Sequence, residues 1–285
     1  MNALPNFIII GGGKCGTTSL HNYLNQHPQI YICPQKETFF FTDEKSRSRN
    51  KHWGAVNNLE SYSALFQDAP QDNILGEIST VYYSYPRSAQ LIYDLIPEVK
   101  IVAILRNPGE RAFSDYQMHF RAGREKSKFE SLVKESNKYI KKGFYYQKLT
   151  PYFHIFPREH IKIILFDDFK NKPVDCLQDL FTFLGVESEF VPDMSNRGRE
   201  GGVPKNQNLN QILTKPNPIR SSIATVLKLF LPLEMRQNLR SKLVRKNMQK
   251  PKLEPSVKQD LINIYRQDIL QLQELIGRDL SSWLE

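Results

Sequence analysis

Residues 7–20 read FIIIGGGKCGTTSL. An apolar run from Phe7 to Ile10 ends in three glycines, and a polar Thr17-Thr18-Ser19 opens a helical pattern over 18–26. A buried strand, a glycine-rich turn and a helix in that order aim backbone N–H groups and a helix N-terminus at one point, where an anion is held. Gly11 and Gly16 keep the spacing of a nucleoside-triphosphatase loop, GxxxxGK[ST], but Thr17 stands where that motif has its lysine. The lysine has moved back into the loop, to Lys14.

The shift has a chemical meaning. In a triphosphatase the lysine reaches the β- and γ-phosphates and the hydroxyl after it holds Mg²⁺. Lys14, placed earlier, suits a donor without a γ-phosphate. It can stabilise charge on the oxygen that bridges phosphate and sulfate as that bond breaks, without needing a metal. Gly13, Lys14, Cys15, Gly16, Thr17, Thr18 and Ser19 are therefore the expected donor-binding residues, with Lys14 also catalytic.

Outward from this loop, three more apolar runs with few interior charges read as buried parallel strands, at 73–79, 100–106 and 161–166, and a shorter one at 30–33 adds a fifth. Helical patterns separate them over 82–95, 108–121, 129–142, 145–156 and 174–184. The alternation implies βαβ crossovers and a three-layer αβα fold, with a central parallel sheet of the P-loop nucleotide-binding kind. The 285 residues are expected to form one domain. Its core would occupy about 1–190, a Gly, Asn and Pro-rich covering loop about 195–210, and a helical appendage about 219–285 with a break at Pro232.

A second constellation lies in KIVAILRNPGERAFSDY, residues 100–116. Arg106 leaves a buried strand, Asn107 is a plausible N-cap, Pro108 occupies the first helical position and Ser114 lies two turns on. Strand ends and helix starts share the sheet edge where open α/β sheets bind ligands. Arg106 and Ser114 can thus meet one anion, the arginine through its planar fork of donors. A 5′-phosphate loop beside a second anion site describes a nucleotide phosphorylated at both ends.

At this point the sequence resembles the sulfotransferases that use 3′-phosphoadenosine 5′-phosphosulfate (PAPS), in particular the heparan sulfate branch and its bacterial relatives. Gly13 to Leu20 matches that family's GxxKxGTTSL loop, and Arg106 to Tyr116 its RNPxERAxSxY segment. The stretches QHPQI, KETFFF, GEISTVYY, CLQDLFTFLGVE and DLSSWL follow the family pattern in order. The resemblance implies PAPS as co-substrate and adenosine 3′,5′-bisphosphate as product. It makes Glu37 of KETFFF the general base, with His119 a rival, and Arg197, Arg199 and Lys205 candidates to close over the 3′-phosphate. Glu77 and Ser79 are candidates for acceptor contact. The heparan enzymes commonly carry a lysine where this chain has Ile78, so its acceptor site is not a copy of theirs.

Composition narrows the rest. Thirty-nine Lys and Arg against thirty Asp and Glu give a net charge of +9, which favours anionic ligands. The basic residues are not confined to one stripe and no aromatic-and-basic module accompanies them, so nucleic acid is not the expected partner. A nucleotide donor and an acceptor are, together with possible contact of the basic 219–248 stretch with an anionic membrane surface. Three cysteines in no metal-binding or disulfide spacing, and no signal peptide or apolar run of membrane-spanning length, lead to the expectation of a cytoplasmic protein. The remaining alternatives are a P-loop kinase or nucleotidase, for which the acids of IILFDD (163–168) would hold the metal, and a silent binding protein.

Overall fold

The computed structural model of the chain describes residues 3–195, 202–214, 217, 232–249 and 251–285. Five strands, β1 (Phe7–Gly11), β2 (Ile30–Ile32), β3 (Ile74–Ile78), β4 (Lys100–Leu105) and β5 (Ile161–Leu165), form one sheet in the order β2-β3-β1-β4-β5. Every neighbouring pair is parallel, with Ile8 opposite both Glu77 and Ile101 at the centre. The expected strands are all present within one or two residues of their expected ends.

Alternation along these strands builds two cores. Ile8, Ile10, Ile101, Ala103 and Leu105 face one layer, and Phe7, Ile9, Val102, Ile104 and Ile164 face the other. The second layer holds α1 (Thr17–Leu24) and, further on, two helices that follow β5. Between β2 and β3 lie two short helices, α2 (Glu44–Arg49) and α3 (Leu59–Ala64). The first layer holds α4 (Ser88–Leu95), α5 (Pro108–Arg121) and, beyond the single turn α6 (Lys138–Lys141), α7 (Tyr145–Ile155). After β5 come α8 (Phe166–Asn171) and α9 (Pro173–Leu184), which close the second layer.

The helix starts follow from their sequence signals. α5 begins where expected because Asn107 Oδ1 accepts the N–H groups of Gly109 (3.0 Å) and Glu110 (3.2 Å), with Pro108 at the first helical position. The segments expected as helices over 82–95 and 129–142 are broken. The first is a 3₁₀ turn, Tyr82–Ser84, followed by α4, because Tyr85 and Pro86 interrupt the period; the second keeps only a 3₁₀ turn, Phe129–Leu132, and α6.

The remaining described chain forms a two-stranded antiparallel ribbon, β6 (Val203–Pro204) with β7 (Met248–Gln249), and the helices α10 (Gln207–Thr214), α11 (Leu233–Lys246) and α12 (Pro255–Ile276). Helix α12 is part of the first core. Leu261, Tyr265, Ile269, Leu272 and Ile276 are buried in the same cluster as Ile8, each aliphatic contributing on the order of 2 kcal/mol by burial. Helix α11 leaves Met235 and Leu243 exposed. The expected candidates Arg197 and Arg199, and the basic stretch before Pro232, lie outside the described residues.

The chain passes from β1 to β2 on one side and returns over β1 from β3 to β4 on the other. This reversal leaves a crevice at the carboxyl ends of β1, β3 and β4, where such sheets bind their ligands.

Candidate active site

The glycine turn fills that crevice. Gly12 N–H donates to Ile104 O (2.7 Å), tying the loop to β4, and Cys15 N–H returns to Gly12 O (3.2 Å). Lys14 is held at φ 72°, a conformation few non-glycine residues adopt, and Gly16 at φ 91° turns the chain into α1. The angle favours glycine there, and a Cβ on Gly16 would stand 3.1 Å from Phe166 Cε2, so the ring would have to give way to any side chain. No side chain caps α1 at Gly16, and this helix end borders the cleft, an arrangement that suits an anion.

A cleft of about 3050 Å³ opens above the loop. Its walls include Gly13, Lys14, Gly16, Thr17, Thr18 and Ser19 from the loop and α1, Glu37 and Thr80 from the β2 and β3 ends, and Arg106 and Ser114 from the β4 end and α5. Ser114, Met118 and Arg121 share one face of α5 at helical spacing and all border the cleft. Lys14 Nζ lies 3.7 Å from Met118 Sδ, which places the ammonium between the loop and this helix face. Burial lowers the Lys14 pKa, with Asp115 opposing and the positive Arg121 and Arg106 adding to the fall.

Arg106 sits beside the loop through two contacts. The Tyr145 hydroxyl donates to Arg106 O (3.0 Å) and lies 3.9 Å from Cys15 Sγ, so one phenol joins the end of β4 to the glycine loop. The Arg106 guanidinium lies over the Phe166 ring, 4.8 Å from its centroid, and Nη2 pairs with Glu110 Oε2 at 2.8 Å. Phe166 thus floors both Gly16 and Arg106. An exposed pair of this kind is worth at most about 1 kcal/mol, a small cost for a bound phosphate to displace.

Glu37 is fixed from two sides. Its N–H donates to Ile78 O (3.1 Å), and its carboxylate accepts the Thr80 hydroxyl (2.7 Å) and the Val81 N–H (3.3 Å). Glu37 and Phe39 both have left-handed backbone angles, φ 60° and 58°, in the turn that presents the carboxylate to the cleft. Burial raises the Glu37 pKa, while the Thr80 and Val81 hydrogen bonds and Lys36 pull it back. A carboxylate held partly out of water, with its proton affinity raised, is what general-base work requires.

Other expected residues lie elsewhere. Cys15 is fully buried, its thiol turned to Gly13 O and Tyr145, so it serves the loop from behind. Lys205 is exposed just beyond β6 and does not border the cleft. His119 packs its ring on Tyr139 at 5.5 Å and does not border the cleft either. Glu77 and Ser79, expected to meet an acceptor, are both 0% exposed and have no access to one. Ile78 points into the second core beside Phe7 and Ile9. Of the strand-end acids, Asp168 is ion-paired with Arg278 at 2.7 Å.

Sequence reasoning missed Thr80, Met118 and Tyr145. Met118 was findable, four residues after Ser114 on the same face, but Thr80 and Tyr145 owe their roles to distant contacts. It also missed the buried cluster behind α5, where Arg111 lies 3.4 Å and Lys142 3.0 Å from Asp115, and the Arg111 guanidinium donates to Tyr139 O. Burial alone would raise the Asp115 pKa; Lys142 and Arg111 together hold it low.

A model described as the sulfotransferase family matches residues 5–190, which include every wall of the cleft formed by the loop, Glu37, Thr80, Arg106 and Ser114. The chain belongs to the sulfotransferase family. A crystal structure of a sulfotransferase from Alicyclobacillus acidocaldarius is 30% identical, covers 99% of this chain and 100% of its own, and superposes with a TM-score of 0.74. Membrane-associated sulfotransferase kil1 of Dictyostelium discoideum is 34% identical over 120 residues, covering 41% of this chain and 23% of the relative. Heparan sulfate glucosamine 3-O-sulfotransferase 5 of Mus musculus is 29% identical over 195 residues, covering 64% and 54%. The chain therefore spans between about a quarter and about half of these curated relatives. Family membership decides for a sulfotransferase over a P-loop kinase or nucleotidase. Among the described residues no helix of this sulfotransferase is long and apolar enough to cross a membrane.

Proposed function

We propose that this sulfotransferase moves the sulfuryl group of PAPS to a hydroxyl or amine of an acceptor, a carbohydrate being the acceptor class suggested by its heparan sulfate relatives. The observation that carries the reading is that Lys14, Glu37, Arg106 and Ser114, drawn from four separate segments, border one cleft at the switch point of the sheet.

In this reading the α1 N-terminus and the loop hold the 5′-phosphosulfate, and Arg106 with Ser114 hold the 3′-phosphate. The acceptor oxygen or nitrogen attacks sulfur in line with the bond to the bridging oxygen. Glu37 takes the acceptor's proton as the new bond to sulfur forms. The bridging oxygen leaves with the electron pair, and the Lys14 ammonium stabilises that charge. The products are a sulfated acceptor and adenosine 3′,5′-bisphosphate.

Calorimetric titration tests the donor assignment. Adenosine 3′,5′-bisphosphate should bind at least about tenfold more tightly than AMP, a difference of about 1.4 kcal/mol, and Arg106→Ala should remove the preference. Equal affinities in the unaltered protein would sink the 3′-phosphate assignment.

A further inference from the structure

Glu77 is a carboxylate with no exposure, at the carboxyl end of the central strand pair, and it takes no part in the chemistry above. Four hydroxyls from four segments converge on it. The Thr38 (2.6 Å), Ser79 (2.6 Å) and Tyr82 (2.8 Å) hydroxyls lie at hydrogen-bond distance from Oε1, Thr38 and Tyr82 also 2.7 Å from each other, and Tyr62 of α3 donates to Oε2. The carboxyl oxygens accept from these hydroxyls, and the hydroxyl oxygens keep lone pairs for donors on their other side.

Those lone pairs take backbone donors of one turn. Ser79 Oγ accepts Thr38 N–H (3.0 Å), Thr38 Oγ1 accepts Phe40 N–H (3.3 Å), and the Tyr82 oxygen accepts Phe41 N–H (3.5 Å). This turn begins with Glu37 and contains two of the three left-handed non-glycine residues among the described residues, Glu37 and Phe39. Such conformations persist only where the surroundings over-determine them. The same network grips Ser79, whose neighbours Thr80 and Val81 hold the Glu37 carboxylate.

We propose that Glu77 is the positioning residue for Glu37: through the hydroxyls of Thr38, Ser79 and Tyr82 it locks the turn that aims the Glu37 carboxylate into the cleft. The proposal rests on the reading of Glu37 as the base, but its geometry can be tested apart from that role. In Glu77→Ala the hydroxyls of Thr38, Ser79 and Tyr82 lose the acceptor that orients them, so they can turn and release the backbone N–H groups they hold.

The test follows the Glu37 carboxyl carbon by ¹³C NMR through a pH titration, its resonance assigned by its loss in Glu37→Gln. In Glu77→Ala the turn relaxes, the carboxylate reaches water, and its midpoint falls toward the ordinary glutamate value by roughly half a unit or more. Affinity for adenosine 3′,5′-bisphosphate stays within about twofold, since the network does not border the donor seat. Ser79→Ala removes the partner of the Thr38 N–H with less disturbance and should move the midpoint in the same direction by less; it carries the test if Glu77→Ala does not fold. A midpoint unchanged in the folded variants overturns the proposal. Full turnover in Glu37→Gln, by contrast, removes the base assignment and leaves the positioning result to stand on the titration.

Discussion

Glu37 has a carboxyl whose proton affinity is raised by burial and whose anion faces the cleft, and these two properties separate activity from stability. A carboxyl with a raised folded pKa binds its proton more tightly in the folded chain. Its contribution to stability is therefore complete below the ordinary value of 4.5 and is lost as pH rises through the folded value. Glu37→Gln should lower turnover of labelled PAPS by roughly 10² or more. The same variant should melt no lower than the unaltered protein at pH 8, because it removes a charge that burial disfavours. A loss of thermal stability at pH 8 equal to that at pH 4 would contradict the burial argument. At this scale the sequence was legible where a residue type and its motif agree. Lys14, Arg106 and Ser114 were found by their chemistry and their place after strands. Glu77 was misplaced because a carboxylate at a strand end has the same letter whether it faces a cleft or four hydroxyls. Only Tyr62, Tyr82 and Thr38, far apart in sequence, decide which.

The strand-loop-helix unit from Phe7 to Leu24 depends on one backbone angle that its neighbours also crowd. Gly16→Ala would place a Cβ at φ 91° and 3.1 Å from the Phe166 ring, which itself floors Arg106. The substitution should cost about 1–3 kcal/mol in stability and weaken binding of adenosine 3′,5′-bisphosphate by roughly tenfold or more. Gly185 is the internal comparison. It ends α9 at φ 83°, yet a Cβ there meets only Lys100 Nζ, at 4.0 Å. Gly185→Ala should therefore lower the melting temperature through the strained angle alone and leave nucleotide affinity unaltered in the same titration. Equal effects of the two variants on affinity would show that Gly16 acts through general stability. Elements were legible to the degree that they carry their own stop and start signals. Helix α5 has an N-cap and Pro108, and was placed to the residue. The segment 82–95 has its own break at Tyr85 and Pro86, which its apolar spacing masks, while 129–142 has apolar spacing without such signals, and long-range packing of Phe129 and Tyr139 in the first core overrides its local pattern.

At the scale of the whole molecule, the last helix is fastened to the site-bearing core by an ionisable group. Asp268 of α12 is 5% exposed, and its Oδ2 accepts the N–H of Tyr146 in the first turn of α7 (3.1 Å), beside the Tyr145 that joins the end of β4 to the glycine loop. The charge-bearing sequence around Asp268 gave no hint of this, since an aspartate in the middle of an amphipathic helix reads as solvent-facing until a partner helix is known. Burial pushes its pKa up to about 6, against backbone hydrogen bonds and Lys148, which favour the anion. The sign follows from linkage. The protonated form is favoured in the folded chain, so stability from this group is present below 3.8 and is lost as pH rises through about 6. The displacement from 3.8 to about 6 limits the loss to about 3 kcal/mol. Asp268→Asn keeps an acceptor for the Tyr146 N–H and has no proton to lose. Melting curves of both proteins from pH 4 to pH 8 should therefore diverge in favour of the variant as pH rises through about 6. A difference that stays constant across that range would place the Asp268 carboxylate in water, and with it would go the argument that α12 is anchored to α7 through a buried charge.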